Sequence, residues 1–136
     1  MPIGYDVRMS LHEIAGVGAS VLLGLIAILQ ALLAIGLPLG RFAWGGRHRV
    51  LPAKLRVSSA LAIPILGFAG WMALARTGIL PPGGEPLFVR VIAWVFAGYF
   101  ALNVAMNVTS KSRSERLLMT PITVLLVACF VVASLS

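Results

Sequence analysis

The chain has 136 residues, of which 60% are hydrophobic and only 11% are charged, and its mean hydropathy is +1.00. This composition excludes an ordinary water-soluble domain, and the length fits a single domain. The formal net charge of +7 would suit a nucleic-acid binder, but the basic residues lie in gaps between apolar runs and not over one soluble face. The sequence therefore predicts an integral membrane protein with no nucleic-acid partner.

Four apolar runs are long enough to cross a bilayer as helices. A short polar arm, residues 1–9, precedes Ser10 and Glu13, which have the spacing of a helix-capping box. The following run, residues 14–37, is uncharged and at about 1.5 Å per residue exceeds a hydrocarbon core of about 30 Å. The four predicted spans are residues 14–37, 57–76, 90–110 and 117–136. We expect one transmembrane domain over residues 1–136, an all-α four-helix up-down bundle.

The connections between these runs are short and differ in charge. The first, residues 38–56, holds five of the eleven basic residues and no acid. Arg76 ends the second span, where its long side chain can reach the membrane interface. The second connection contains Pro-Pro-Gly-Gly at residues 81–84, which leaves no room for a further domain. The third, residues 111–116, includes Ser112 and Glu115, a second pair with capping-box spacing.

Charge asymmetry predicts how the chain is oriented. The face formed by the first and third connections carries eight basic residues and one acid, Glu115, whereas the other face carries three basic and three acidic residues. Under the positive-inside rule the loops at residues 38–56 and 111–116 should be cytoplasmic, and both termini should lie outside.

Polar side chains in the third span form one candidate site. Tyr99, Asn103 and Asn107 recur every four residues and so lie along one side of a helix. Because unpaired polar groups are costly in lipid, they should face protein or water. Together with Gln30, the most polar residue of the first span, they are candidates to line a polar pathway or a ligand. The alternative is hydrogen bonding between helices that only holds the bundle together.

Small side chains predict close helix packing in two spans. In the first span the small residues recur every four positions, and in the third span alanines do the same. These helix-packing candidates are Gly16, Ser20, Gly24, Ala93, Ala97, Ala101 and Ala105.

The basic loop is the other candidate site. Its candidate ligands for anionic lipid headgroups are five basic side chains and one aromatic ring: Arg41, Trp44, Arg47, Arg49, Lys54 and Arg56. Each basic residue near an anionic leaflet contributes about 1 kcal/mol, and Trp favours the headgroup level. The glycines Gly40, Gly45 and Gly46 allow tight turns whose backbone N–H groups could help to hold a phosphate. The alternative is that the charges only orient the protein during insertion.

No catalytic, metal-binding or cofactor-binding motif is evident. The single cysteine, Cys129, excludes an internal disulfide. His12 and Glu13 are neighbours that point about 100° apart on a helix, and His48 lies on the opposite predicted face. We expect no catalytic residue, no metal and no cofactor.

The run from Pro38 to Pro52, Pro-Leu-Gly-Arg-Phe-Ala-Trp-Gly-Gly-Arg-His-Arg-Val-Leu-Pro, with Leu55-Arg56 after it, resembles a loop of small bacterial four-span membrane proteins of no assigned function. The portions at residues 101–103 and 114–121 are similar too. This resemblance implies an integral bundle in a bacterial inner membrane and carries over no catalytic or binding residues.

Three classes of function remain open. The polar stripe favours an oligomeric transport or channel module for a small solute or ion, since four short helices enclose little space unless several copies assemble. The second class is a non-catalytic accessory or lipid-binding subunit of a larger membrane complex. The third is a membrane enzyme acting on lipids, which the lack of a His/Asp/Glu cluster argues against. The expected partners are the bilayer with its anionic headgroups, and further copies or other membrane subunits.

Overall fold

The computed structural model describes residues 10–135, which form four long helices and two short 3-10 turns. The helices are α1 (Leu11–Ala34), α2 (Ala53–Arg76), α3 (Leu87–Val108) and α4 (Arg113–Ser134). Each is long and apolar enough to cross a membrane. The predicted all-α four-helix bundle of a multi-pass membrane protein is confirmed for the described residues. The predicted polar arm, residues 1–9, lies outside them.

Each helix begins three to four residues before its apolar run. α1 begins at Leu11 because the hydroxyl of Ser10 accepts the backbone N–H of Glu13 at 3.3 Å, as the capping-box spacing predicts. The first N–H groups of a helix have no partner within it and are satisfied by capping side chains or water, so a polar first turn suits the boundary of an apolar span. Runs of apolar residues therefore mark the lipid-embedded part of a helix and miss its first turn.

α1 also ends earlier than predicted, at Ala34 and not at Leu37. Gly36 has a φ of +96° and donates to the carbonyl of Leu33, while Leu37 donates to that of Leu32. This pair of bonds around a left-handed glycine is the Schellman motif, which stops a helix by satisfying its last carbonyls. The helix terminator is thus Gly36, one residue before the predicted end at Leu37.

The core lies along the centre of the bundle. α1 packs mainly on α2 and α4, α3 packs mainly on α4, and α2 meets α3 over fewer residues. Aromatic rings fill the centre: the ring centroids of Phe100 and Phe130 are 5.6 Å apart, and those of Phe96 and Phe100 are 6.0 Å apart. Leu126, beside them, is fully buried. The middle of a single chain is therefore packed with side chains.

Candidate functional site

The three members of the polar stripe have different surroundings. Asn107 is buried, and its Nδ2 donates to Thr123 Oγ1 of α4 at 3.2 Å. Asn103 is half-buried, and its Nδ2 donates to the carbonyl of Tyr99 in its own helix at 2.9 Å. The ring of Tyr99 is exposed. Within one chain these residues do not meet around a shared space, and Asn107 links α3 to α4.

Gln30 lies on the inward face of α1, in register with the buried residues Leu23, Ile26 and Leu33. The residue is half-buried, and among residues 10–135 its buried Oε1 has no hydrogen-bond partner. Gln30 is therefore a polar side chain on an otherwise apolar face of α1, on a different helix from Asn107.

The small residues of α1 divide in a similar way. Gly16 lies so close to α2 that a Cβ there would be 2.7 Å from Thr77 Cγ2. One turn further on, Ser20 Oγ donates to the carbonyl of Gly70 at 3.2 Å. Gly24 has open space around it. Gly16 and Ser20 therefore mediate the α1–α2 contact, and Gly24 does not contribute to it.

In α3, Ala93 and Ala97 are buried, while Ala101 and Ala105 are exposed. A series spaced by four residues advances by about 40° per step around a helix of 3.6 residues per turn. The alanine series therefore begins on the buried face and winds out of it. Ala101 and Ala105 are exposed in one chain, so their predicted role in packing against another helix stays a prediction for an oligomer.

The segment between α1 and α2 is folded against the helix ends. It contains two 3-10 turns, Gly40–Phe42 and Trp44–Gly46. Ala43 and Leu51 are buried against Leu33 of α1 in a small apolar cluster of their own. We call residues 35–56, together with residues 109–116, the basic cap.

Two side chains fasten the basic cap to the helices. The indole Nε1 of Trp44 donates to the hydroxyl of the fully buried Ser59 at 3.0 Å. Trp44 has a φ of +54°, a left-handed conformation that costs about 1–2 kcal/mol for an L-residue. The guanidinium Nε of Arg56 donates to the carbonyl of Ala34 at 2.9 Å, where a cation complements the C-terminal end of α1. The surrounding bonds thus hold a strained turn in one conformation.

The basic cap also joins the first connection to the third. Glu115, in the first turn of α4, is only 7% exposed, and its Oε2 accepts the backbone N–H of Gly45 at 2.9 Å. The hydroxyl of Ser112 donates to the carbonyl of Arg41. Gly46 lies directly against Ser112, with no space for a methyl group. The two basic connections are therefore one structural unit.

These bonds overturn the prediction that glycine N–H groups help to hold a phosphate. The N–H of Gly45 donates to Glu115, that of Gly40 to the carbonyl of Arg49, and that of Gly46 to the carbonyl of Ala43. All three groups are used within the cap. These three N–H groups are therefore already paired and are not available to an anion.

The eight basic residues of the cap divide into two groups. Arg56 and Arg116 are half-buried, and Arg116 Nη1 donates to the carbonyl of Ser110 at 2.9 Å. The other six are exposed: Arg41, Arg47, Arg49, Lys54, Lys111 and Arg113. Lys111 and Arg113 were not among the predicted lipid ligands. The signal that could have identified them is their position on either side of Ser112, a predicted helix cap.

At the opposite end of the bundle the buried charge is a cation. Arg76 is only 8% exposed, and its Nη2 donates to the carbonyl of Ser134 at the end of α4, 3.0 Å away. The guanidinium that was predicted to reach the interface is therefore held against the end of α4. The exposed ionisable residues described at this end include Glu85 and Arg90.

Among residues 10–135 no group of three or more His, Cys, Asp or Glu side chains could hold a metal ion. His12 is half-buried in the first turn of α1, and His48 is exposed on the cap. Comparisons of the chain with protein-family models, curated proteins and solved structures find no match. The resemblance to small bacterial four-span proteins stays a prediction.

Proposed function

We propose that this chain is a bacterial inner-membrane protein that binds anionic phospholipid headgroups on its basic cap, at the cytoplasmic side, as a non-catalytic lipid-binding subunit. The observation that carries the proposal is the arrangement of charge on the cap. Six of its eight basic side chains are exposed, while its single acid, Glu115, is turned inward. The surface that meets the membrane interface is therefore positive without an exposed carboxylate.

The order of the cap supports binding beyond non-specific attraction. Each Lys or Arg near an anionic leaflet contributes about 1 kcal/mol, so six exposed cations supply several kcal/mol. Because the turns are already fixed by Ser59, Glu115 and Ser112, little backbone freedom remains to be lost on binding. Trp44 is 44% exposed, so part of its ring is available at the headgroup level.

Transport by an oligomer stays a prediction. The centre of one chain is filled by side chains such as Phe100, Leu126 and Phe130, so a pathway would have to run between copies. The exposed Tyr99 and Ala101 are on the outside of the bundle, where a second copy would pack. No contact within the described chain selects this function over lipid binding.

The proposed orientation is tested by labelling single cysteines with a membrane-impermeant maleimide in intact cells. The background is Cys129→Ser, and the cysteines replace Arg47 and Lys111 on the cap and Glu85 at the opposite end, all exposed. We expect labelling at position 85 alone until the membrane is permeabilised. Labelling of the two cap positions from outside would reverse the orientation.

Lipid binding is tested by native mass spectrometry of protein released from nanodiscs of phosphatidylethanolamine and phosphatidylglycerol. Replacing the exposed residues Arg47, Arg49 and Lys54 with Gln should lower phosphatidylglycerol retention by about fivefold per residue, which corresponds to about 1 kcal/mol each. Arg90→Gln, an equally exposed charge at the other end, is the matched control and should have no effect. Unchanged retention in the triple variant would mean that the cap only orients the chain.

A further inference from the structure

We propose that the two connections of the basic cap form one composite site for a lipid headgroup that carries two phosphate groups. This inference rests on the proposed lipid-binding function and assigns its ligand. The observation that carries the proposal is the bond from the hydroxyl of Ser112 to the carbonyl of Arg41. Lys111 and Arg113 are the residues directly before and after Ser112. Cations that are seventy residues apart in the chain therefore project from adjacent backbone.

The backbone contact brings the main chain of these three residues close together. With consecutive Cα atoms about 3.8 Å apart, the bond from Ser112 to Arg41 places the Cα atoms of Lys111 and Arg113 within about 11 Å of that of Arg41. The bond from the Gly45 N–H to Glu115 Oε2, at 2.9 Å, holds the same two segments together at a second point. The spacing is thus set by the fold and does not depend on loop motion.

The nearby acid does not cancel this charge. Glu115 is buried with its carboxylate on the Gly45 N–H, so it is directed into the cap and away from the exposed cations. Arg41, Lys111 and Arg113 are all exposed. They also lie around the beginning of α4, whose dipole is complemented by Glu115 in the first turn.

This charge exceeds what one phosphodiester offers. A headgroup with one phosphate brings a single negative charge, whereas three exposed cations match two phosphates better. Arg41 and Arg113 can each bind a phosphate through two parallel N–H donors. Lys111 adds a further positive point charge. Basic pockets at the cytoplasmic ends of membrane helices are where such headgroups bind.

The ligand is a lipid and not a soluble diphosphate because the cap closes the ends of four membrane-spanning helices. Its partly exposed Trp44 belongs to the residue type that anchors at the headgroup level. Acyl chains would then lie along the apolar outer faces of the helices, which exposed residues such as Leu117 and Leu118 provide beside the same end of α4.

The test compares nanodiscs of phosphatidylethanolamine that contain either cardiolipin, with two phosphates, or twice the molar amount of phosphatidylglycerol, so that total charge is equal. Native mass spectrometry counts the retained anionic lipids. Wild type should retain cardiolipin about tenfold more strongly, and Lys111→Gln with Arg113→Gln should abolish that preference while phosphatidylglycerol retention falls much less. Replacing the exposed Arg49 and Lys54 with Gln, away from the Gly46–Ser112 contact, should lower the retention of both lipids alike.

The outcomes separate this inference from the proposed function. Equal retention of the two lipids per charge by wild type would overturn the composite site and leave lipid binding intact. Retention of neither lipid above phosphatidylethanolamine would overturn the proposed function itself. Binding of inorganic pyrophosphate that depends on Lys111 and Arg113, without a cardiolipin preference, would overturn the lipid as the ligand.

Discussion

The two ends of the bundle bury charges of opposite sign. At the basic end Glu115 is buried and the cations face outward, whereas at the other end Arg76 is buried and the charges outside it, including Glu85 and Arg90, are mixed. Both buried charges meet an end of α4: Glu115 lies in its first turn, and Arg76, the last residue of α2, donates to the carbonyl of Ser134 in its last turn. An acid at the N-terminus and a cation at the C-terminus each complement the helix dipole.

This difference shows why a count of charges by face describes orientation but not function. The positive-inside rule weighs every basic residue of a loop equally. In the folded chain Arg56 and Arg116 are bonded to backbone carbonyls, and Arg76 is enclosed by the helix ends. Buried charges hold helices together, and only the exposed ones can meet a ligand.

The largest expected effect comes from separating the two connections of the basic cap. Gly46→Ala places a methyl group onto Ser112 and puts an L-residue at a φ of +69°, so the free energy of unfolding should fall by about 2–5 kcal/mol. Gly45→Ala is the matched control, because its φ is +79° but no atom lies within 4 Å of the added Cβ. Gly45→Ala should lower the free energy of unfolding by only about 1–2 kcal/mol, the cost of a left-handed conformation for an L-residue.

Gly84→Ala makes the corresponding test at the opposite end, where a methyl group would overlap the carbonyl of Arg76. Unfolding by SDS in mixed micelles gives all three free energies. If Gly46→Ala were no worse than Gly45→Ala, the close contact with Ser112 would not hold the cap. If Gly84→Ala were harmless, the two ends would differ in rigidity as well as in charge.

Three arginine substitutions test whether buried, half-buried and exposed cations differ in their effect on stability. Arg76→Gln should lower the free energy of unfolding by about 1.5–3 kcal/mol, because it removes a buried charge-assisted bond to Ser134. Arg56→Gln should cost about 0.3–1 kcal/mol, since its bond to Ala34 is half-buried at a helix C-terminus. Arg47→Gln, on an exposed residue, should leave stability unchanged while it weakens lipid retention. An Arg47 effect as large as that of Arg76 would contradict the division of the charges into structural and exposed groups.

The four helices were predictable because the length of an apolar run is a local property of the sequence. It was harder to predict which side of a helix a four-residue repeat faces. A series spaced by four residues winds around the helix by about 40° per step, so the one that begins at Ala93 leaves the core by Ala101, and the one that begins at Tyr99 enters it by Asn107. A repeat every four residues therefore does not show which of its members are buried.

The basic cap shows a different limit. The capping-box spacing correctly marked Ser112 as the residue that precedes α4. It did not reveal that the carboxylate of Glu115 bonds to Gly45, seventy positions away. The carboxylate meets Gly45 only because the chain folds α4 against the first connection, so no local sequence pattern could predict this bond. The grouping of Lys111 and Arg113 with Arg41 was hidden for the same reason.

The last prediction is a difference of about 0.5–1 kcal/mol between the two serine caps. Ser10 and Ser112 each accept a backbone N–H three residues later at 3.3 Å, so the two caps are matched in geometry at opposite ends of the bundle. Ser10 is exposed and its hydroxyl donates to its neighbour Glu13, whereas the Ser112 hydroxyl donates to Arg41 across the cap. Ser10→Ala should cost about 0.5–1 kcal/mol, and Ser112→Ala about 1–2 kcal/mol, because it loses the cap and the link together. Unfolding by SDS in mixed micelles measures both losses. Equal losses at the two serines would mean that the link to Arg41 adds nothing to stability, and that Glu115 and the packing of Gly46 hold the two connections together.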